Sequence, residues 1–91
     1  MPSLFVIRGN DQGTRFELEG ATIGLGRDSS NQVQVHDTEV SRQHAEIRGS
    51  RDHLTISDLN SSNGTFVNGQ RVQQHLLCSG DQLQVGRTLL L

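Results

Sequence analysis

Apolar and polar residues alternate with period two in short segments along the chain, and glycine-rich or polar stretches separate these segments. The alternation is cleanest in 53–57, where it predicts that Leu54 and Ile56 face a core. Further strand candidates are 4–8, 14–19, 21–27, 32–35, 43–48, 65–67, 71–72, 82–85 and 88–91. No segment has a convincing helical period. The pattern predicts an all-β fold, a two-sheet β-sandwich of about ten to eleven mostly antiparallel strands.

The connections between the strand candidates carry expectations of their own. Asn68-Gly69 is a strong signal for a tight hairpin, and residues 49–52 have the composition of a turn. Residues 73–77 have no regular alternation, so we expect irregular structure there, with Leu76 and Leu77 packing beneath the sandwich. The last segment, 88–91, is expected to pair near the first strand.

Length and composition limit the class of protein. Ninety-one residues make one domain, 1–91, and 32% hydrophobic residues allow only a thin core. The net charge of −2 gives no support for nonspecific nucleic-acid binding. Cys78 is the single cysteine, which excludes an intrachain disulfide and fits a reducing, cytoplasmic compartment. The sequence has neither a signal peptide nor a segment of transmembrane length, so no membrane partner is expected.

The apolar sequence Leu89-Leu90-Leu91 is an unusual natural end for a soluble protein. It suggests that the native chain continues, and that residues 1–91 are the N-terminal module of a longer protein. As an isolated domain, the module is expected to be a monomer.

Three polar stretches between strand candidates form the candidate site: Gly26-Arg27, 39–44 and 61–65. Five side chains in these stretches are the candidate ligand contacts: Arg27, Ser41, Arg42, Ser62 and Asn63. Each can donate hydrogen bonds, and two are cationic. A set with more donors than acceptors is complementary to a dianionic oxyanion, such as a phosphorylated side chain with a charge of about −1.5 to −2 at neutral pH.

The order and spacing of these residues resemble the forkhead-associated (FHA) domain family over nearly the whole chain. The matching motifs are Gly26-Arg27, Ser41-x-x-His44, Asp58-Leu59-x-Ser61, Asn63-Gly64-Thr65, Asn68-Gly69, and Gly80-Asp81 before Leu83-x-Val85-Gly86. Gly-Arg or Asn-Gly alone carries no weight, but the ordered combination is specific. The resemblance implies a sandwich of two twisted sheets whose loops, at one end, bind phosphothreonine peptides.

The resemblance also implies a role for each side chain of the candidate site. Arg27 and Ser41 would grip the phosphate, Ser62 would contact it, and Arg42 occupies a position where the family often has a polar residue near the phosphate. Asn63 would hydrogen-bond the peptide backbone beside the phosphothreonine. The methyl group of the phosphothreonine would occupy a small pocket, which is how the family selects threonine over serine.

Three residues are expected to shape the site without touching the ligand. Gly26 and His44 look architectural, with His44 bracing the loop that carries Ser41 through hydrogen bonds. Gly64 is expected to have a positive φ, which glycine adopts at little cost.

Two positions depart from the common family pattern. Position 62 is Ser where many relatives have Thr, which keeps the hydroxyl group but removes a methyl group. Glu39 stands where some relatives use a basic residue to select an acidic peptide side chain. We therefore expect that an aspartate three residues after the phosphothreonine does not help binding and can weaken it.

Several simpler readings of the same residues stay open from sequence alone. Ser41 and His44 could be a nucleophile and its base, although no third member of a triad follows. Arg27 could form a structural ion pair with Asp28 or Asp58. Asn63-Gly64 could be merely a hairpin turn.

The leading hypothesis is a non-catalytic, phosphothreonine-dependent peptide-binding module in Ser/Thr kinase signalling. The alternative is a phosphate-independent interaction or assembly domain of the same fold. The expected partner is a phosphothreonine-containing protein or a phosphorylated segment of the module's own full-length chain. No cofactor is expected, and His36, His53 and Cys78 are too scattered for a metal site.

Overall fold

The computed structural model describes residues 2–50 and 52–91, which form eleven strands in two sheets. The six-stranded sheet has the order β2-β1-β11-β10-β7-β8, with β1 Ser3–Arg8, β2 Arg15–Glu17, β7 Thr65–Val67, β8 Gln70–Val72, β10 Leu83–Val85 and β11 Thr88–Leu90. The five-stranded sheet has the order β4-β3-β5-β6-β9, with β3 Thr22–Gly26, β4 Val33–Gln34, β5 Ala45–Ser50, β6 His53–Asp58 and β9 Gln74–Leu77. All pairings between described strands are antiparallel except β3–β4, which is parallel. The predicted all-β sandwich is confirmed.

The core lies between the two sheets, because alternate residues of each strand point inward. In β10, for example, Leu83 and Val85 are buried and Gln84 between them is partly exposed. The buried apolar cluster comprises Leu4, Val6, Leu18, Ile23, Leu25, Val33, Val35, Val40, Ala45, Ile47, Ile56, Val67, Leu83, Val85 and Leu90. Ile56 belongs to it and Leu54 packs against it, as the alternation in β6 predicted.

The expected hairpin and the expected pairing of the last strand are both present. Asn68 and Gly69 join β7 to β8 with φ of 52° and 82°, and two successive positive φ values are typical of the type I′ hairpin turn. The last strand pairs with the first, since β1 and β11 are neighbours and Phe5 and Leu91 exchange backbone hydrogen bonds of 3.0 and 2.8 Å.

Some boundaries predicted from the sequence were wrong. Residues 73–77 are not irregular, because Gln74–Leu77 form β9 and pair with β6. Leu76 is 50% exposed rather than packed beneath the sandwich, whereas Leu77 packs against the core. β5 begins at Ala45, two residues later than position 43. The turn expected at 49–52 includes Arg51, which lies outside the described residues.

The connections β3–β4 (27–32), β4–β5 (35–44) and β6–β7 (59–64) meet at one end of the sandwich, which we call the loop end. At the opposite end a cleft of ≈ 640 Å³ opens between the sheets, lined in part by Leu18, Leu77 and Leu91. No helix long and apolar enough to cross a membrane occurs in residues 2–50 and 52–91.

Candidate functional site

Arg27 directly follows β3, and its loop is hydrogen-bonded to the β4–β5 loop. The Arg27 N–H donates to the carbonyl oxygen of Ser41 at 3.1 Å, and its Nε donates to the carbonyl oxygen of Val40 at 3.1 Å. No carboxylate of a described residue lies within 4.0 Å of its guanidinium group, so the structural ion pair with Asp28 or Asp58 is not formed. The charge of Arg27 is exposed at the loop end.

Gly26 is buried beneath this junction, where no side chain can be accommodated. A Cβ atom at position 26 would lie 2.1 Å from the carbonyl oxygen of Arg42 and 2.8 Å from Nδ2 of Asn31. Asn31 is itself buried, and its Nδ2 donates to the carbonyl oxygens of Arg42 at 2.7 Å and Asp28 at 3.0 Å. The missing side chain of Gly26 therefore permits the close approach of the two loops.

His44 is completely buried and connects the β4–β5 loop to the β6–β7 loop. Its Nδ1 accepts the backbone N–H of Ser41 at 3.1 Å, which leaves the ring proton on Nε2 to donate to the carbonyl oxygen of Gly64 at 2.9 Å. Both ring nitrogens are thus occupied by backbone groups. Gly64 has a φ of 90°, the positive value expected from the sequence.

The side chains of Ser41 and Asn63 join the same two loops at the surface. The Ser41 Oγ accepts the N–H of Ser62 at 3.0 Å, and Nδ2 of Asn63 donates to the carbonyl oxygen of Glu39 at 2.8 Å. The Ser41 O–H proton, the Asn63 Oδ1 and one Asn63 amide N–H have no protein partner among the described residues. These groups, with the exposed hydroxyl of Ser62, can bind a ligand without a rearrangement of the loops.

Asp58, at the end of β6, fixes the start of the β6–β7 loop. Its Oδ1 accepts the hydroxyl groups of Ser61 at 2.6 Å and Thr65 at 2.7 Å, and its Oδ2 accepts the Ser61 N–H at 3.0 Å. Burial favours the neutral carboxyl, but these hydrogen bonds outweigh it and hold the pKa of Asp58 below its ordinary value. The ionised carboxylate is therefore part of the folded loop.

Asp37 lies in the β4–β5 loop and fixes this loop to the other sheet. This buried carboxylate accepts the N–H of Glu39 at 2.9 Å, the N–H of Arg87 at 2.8 Å and the hydroxyl of Thr88 at 2.9 Å. Burial opposes its ionisation, but the hydrogen bonds and the Arg87 charge lower the pKa of Asp37 overall. The loop that carries Ser41 is thus anchored to the β10–β11 turn.

Two charged residues border the site on this side. The Glu39 Oε2 lies 2.6 Å from the Arg87 Nε, with side-chain exposures of 47% and 84%.

Asp28 lies in the β3–β4 connection, next to Arg27. Hydrogen bonds from Ser30 lower the pKa of Asp28, and the charges of Arg42 and Arg27 lower it further. The Arg42 side chain is exposed and has no carboxylate within 4.0 Å in the described part of the chain.

All nine residues predicted for the site or its support lie in these three connections, at their ends or against them: Gly26, Arg27, Glu39, Ser41, Arg42, His44, Ser62, Asn63 and Gly64. Asn31 and Asp37 were missed. Each joins segments that are distant in sequence, 11 residues apart for Asn31 and Arg42 and 50 for Asp37 and Arg87. An asparagine or aspartate in a polar loop gives no sequence signal of such a contact.

The family model described as FHA domain matches residues 23–86. The chain is 38% identical over 84 residues to an oxoglutarate dehydrogenase inhibitor of Corynebacterium jeikeium, covering 92% of this chain and 58% of that protein. It is equally similar to the glycogen accumulation regulator GarA of Mycobacterium tuberculosis, covering 92% and 52%. The chain thus spans a little over half the length of these curated relatives.

Solved FHA domain structures superpose on almost the whole chain. The FhaA FHA domain complexed with the intracellular domain of Rv3910 superposes with a TM-score of 0.90 at 34% identity, covering 98% of this chain and 96% of that one. A structure from an analysis of phosphothreonine-dependent FHA domain interactions gives a TM-score of 0.91 at 35% identity, covering 98% and 91%.

Proposed function

The chain belongs to the forkhead-associated (FHA) family, and from this premise we propose that it is a non-catalytic module that binds phosphothreonine peptides in Ser/Thr kinase signalling. The proposal is carried by one observation. Arg27 and Ser41, from two different connections, are adjacent at the loop end, and each keeps donor groups without protein partners among the described residues. One structure to which this chain is similar comes from an analysis of phosphothreonine-dependent FHA domain interactions.

Each side chain has a role in this proposal. Arg27 and Ser41 bind the phosphate, Ser62 adds a hydroxyl group, and Arg42 contributes positive charge. Asn63 binds the peptide backbone through Oδ1 and its remaining N–H, while its other N–H holds the Glu39 carbonyl oxygen. A charge-assisted hydrogen bond contributes about 1.5–3 kcal/mol, so two or three of them suffice for roughly micromolar binding when backbone contacts are added.

The geometry of His44 argues against catalysis at Ser41. A nucleophilic serine needs its hydroxyl group hydrogen-bonded to a base, but the His44 ring bonds the Ser41 backbone N–H and the Gly64 carbonyl oxygen instead. Two of the similar proteins are named as an inhibitor and a regulator rather than as enzymes, which agrees with this proposal.

We propose a phosphothreonine-containing protein, or a phosphorylated segment of the module's own full-length chain, as the partner. The structure of FhaA with the intracellular domain of Rv3910 is a protein complex of a similar domain. The exposed free thiol of Cys78 is suited to a reducing compartment, and we place the module in the cytoplasm as a monomer.

Fluorescence anisotropy with three versions of a degenerate peptide tests this function. We expect micromolar binding of the phosphothreonine peptide, weaker binding of the phosphoserine peptide because the methyl contact is lost, and no measurable binding of the unmodified peptide. Equal affinity for phosphorylated and unmodified peptides would instead establish the phosphate-independent interaction domain.

The Glu39–Arg87 pair leads to a prediction about peptide selectivity. Because Arg87 partly compensates the Glu39 charge, an aspartate three residues after the phosphothreonine should neither help nor strongly impair binding by the wild-type module. In the Glu39→Arg variant the introduced guanidinium group lies beside that of Arg87. The same aspartate should therefore strengthen binding about two- to fivefold, the range of an exposed ion pair.

A peptide array with each residue type at that position measures the effect. Arg87→Gln is the matched control, because it exposes the uncompensated carboxylate and should shift the preference toward lysine and arginine. Acidic enrichment with the wild-type module would contradict the assignment of Glu39.

A further inference from the structure

Arg71 projects from β8 across the outer face of the six-stranded sheet toward the loop end. It is paired with Phe66 in the sheet, yet its guanidinium group lies over Gly64, two residues earlier. A Cβ atom at position 64 would lie 2.7 Å from the Arg71 Nε and 3.0 Å from its Cζ. The guanidinium group thus fills the space that a side chain beside Asn63 would occupy.

The charge of Arg71 is uncompensated. Three arginines form ion pairs within 4.0 Å, namely Arg15 with Glu17, Arg48 with Glu46 and Arg87 with Glu39. Arg71 has no carboxylate at that distance in residues 2–50 and 52–91, and its guanidinium group donates no hydrogen bond there.

Three cations without a carboxylate partner in the described chain therefore lie at the loop end: Arg27, Arg42 and Arg71. The first two are assigned to the phosphothreonine in the proposed function. Arg71 has no assigned role, and its guanidinium group lies against Gly64, next to the residue that we propose binds the peptide backbone. A peptide side chain that passes Asn63 on this side meets an exposed, planar donor group suited to carboxylate or phosphate.

On the basis of the proposed function, we propose that Arg71 is a specificity-determining residue that binds a second acidic group of the ligand. This group is an aspartate or glutamate carboxylate, or a second phosphate, on the part of the peptide next to Asn63-Gly64. The Glu39–Arg87 pair borders the site elsewhere and offers no free cation. The module is thus expected to accept acidic groups at one peptide position and not at the position read by Glu39.

The test uses a phosphothreonine peptide with alanine at the three positions on either side as the reference. In one peptide series aspartate replaces each alanine in turn, and in a second series phosphoserine does. We expect one position at which aspartate strengthens wild-type binding about two- to fivefold, and phosphoserine at least as strongly because of its greater charge. An increase with phosphoserine alone would identify a second phosphate as the preferred group.

Arg71→Gln should abolish this increase and leave the reference affinity within about twofold. Gln retains much of the aliphatic stem that covers Gly64, and Arg71→Lys should retain part of the increase through its charge. Arg48→Gln is the matched control, since it removes the same charge from β5 and should preserve the increase. Thermal unfolding of all variants verifies that they are folded.

Two results would overturn the inference while the proposed function stands. One is that no position in either series strengthens binding, and the other is that the increase persists in Arg71→Gln. If the wild-type module fails to bind the reference peptide, the proposed function is wrong, and the role of Arg71 falls with it.

Discussion

Replacement of Arg27 by alanine is expected to weaken phosphothreonine-peptide binding roughly 10- to 150-fold. This range follows from the loss of a charge-assisted interaction that contributes about 1.5–3 kcal/mol, at tenfold for each 1.4 kcal/mol. Arg27 is suited to this role because its guanidinium group has no carboxylate partner in the described part of the chain and is held by the Val40 carbonyl oxygen. Anisotropy titration with the phosphothreonine and unmodified peptides measures the effect.

Ser41→Ala should cause a loss of similar size, because the hydroxyl group is proposed to contact the phosphate and also accepts the Ser62 N–H. Arg27→Lys should fall between wild type and alanine, since lysine keeps the charge but lacks the planar pair of donors. Arg48→Ala serves as the control, because Arg48 lies in β5, outside the three connections, and its exposed pair with Glu46 contributes little to stability. If affinity survives both Arg27→Ala and Ser41→Ala in folded protein, the phosphate site lies elsewhere.

Gly26→Ala is expected to destabilise the fold by about 1–3 kcal/mol or more, the cost of forcing atoms into a well-packed interior. The added Cβ would lie 2.1 Å from a backbone oxygen of Arg42, so a strand or the β4–β5 loop must move. For a domain of this size each 1 kcal/mol lowers Tm by roughly 4–8 °C. Thermal unfolding should therefore show a drop of about 4–24 °C, and the protein that still folds should bind phosphopeptide weakly, because Arg42 adjoins Ser41.

Gly49→Ala separates this clash from the general effect of removing a strand glycine. Gly49 lies in β5 and has no positive φ, and the atom nearest to an added Cβ is the flexible Leu54 Cδ2 at 3.3 Å. Alanine there should change Tm by only a few degrees. Equal losses in the two variants would contradict the assignment of Gly26 to the contact between the loops.

Local rules predicted much of the fold. Clean alternation identified β6, and Asn68-Gly69 identified the β7–β8 hairpin, because both residues of this turn must adopt positive φ. β9 was not recognised, since His75 and Leu77 are only partly buried and the strand is held by backbone pairing with β6. Backbone hydrogen bonds do not depend on side-chain identity, so an edge strand that is held mainly by such bonds shows no distinctive pattern in its sequence.

The residues of the candidate site could be named from ordered motifs in the sequence. The hydrogen bonds and ion pairs that these residues form with one another could not be predicted. Whether Arg27 is paired or free depends on the positions of Asp28 and Asp58, and these follow from hydrogen bonds to Ser30 and to Ser61. The buried roles of Asn31 and Asp37 likewise depend on contacts that only the folded chain brings together. Sequence patterns therefore indicate local structure, but they do not indicate contacts between segments that are distant in the chain.

The pairing of β1 with β11 limits how the module can bind a phosphothreonine carried on its own polypeptide. Ser3 and Leu91 both line the cleft opposite the loop end, and the longest dimension of the domain is 33 Å. An extended chain covers about 3.3–3.6 Å per residue, so roughly ten flanking residues span that dimension. A tether of that length or longer can bring its phosphothreonine to the loop end, which makes binding intramolecular and raises the effective ligand concentration toward the millimolar range.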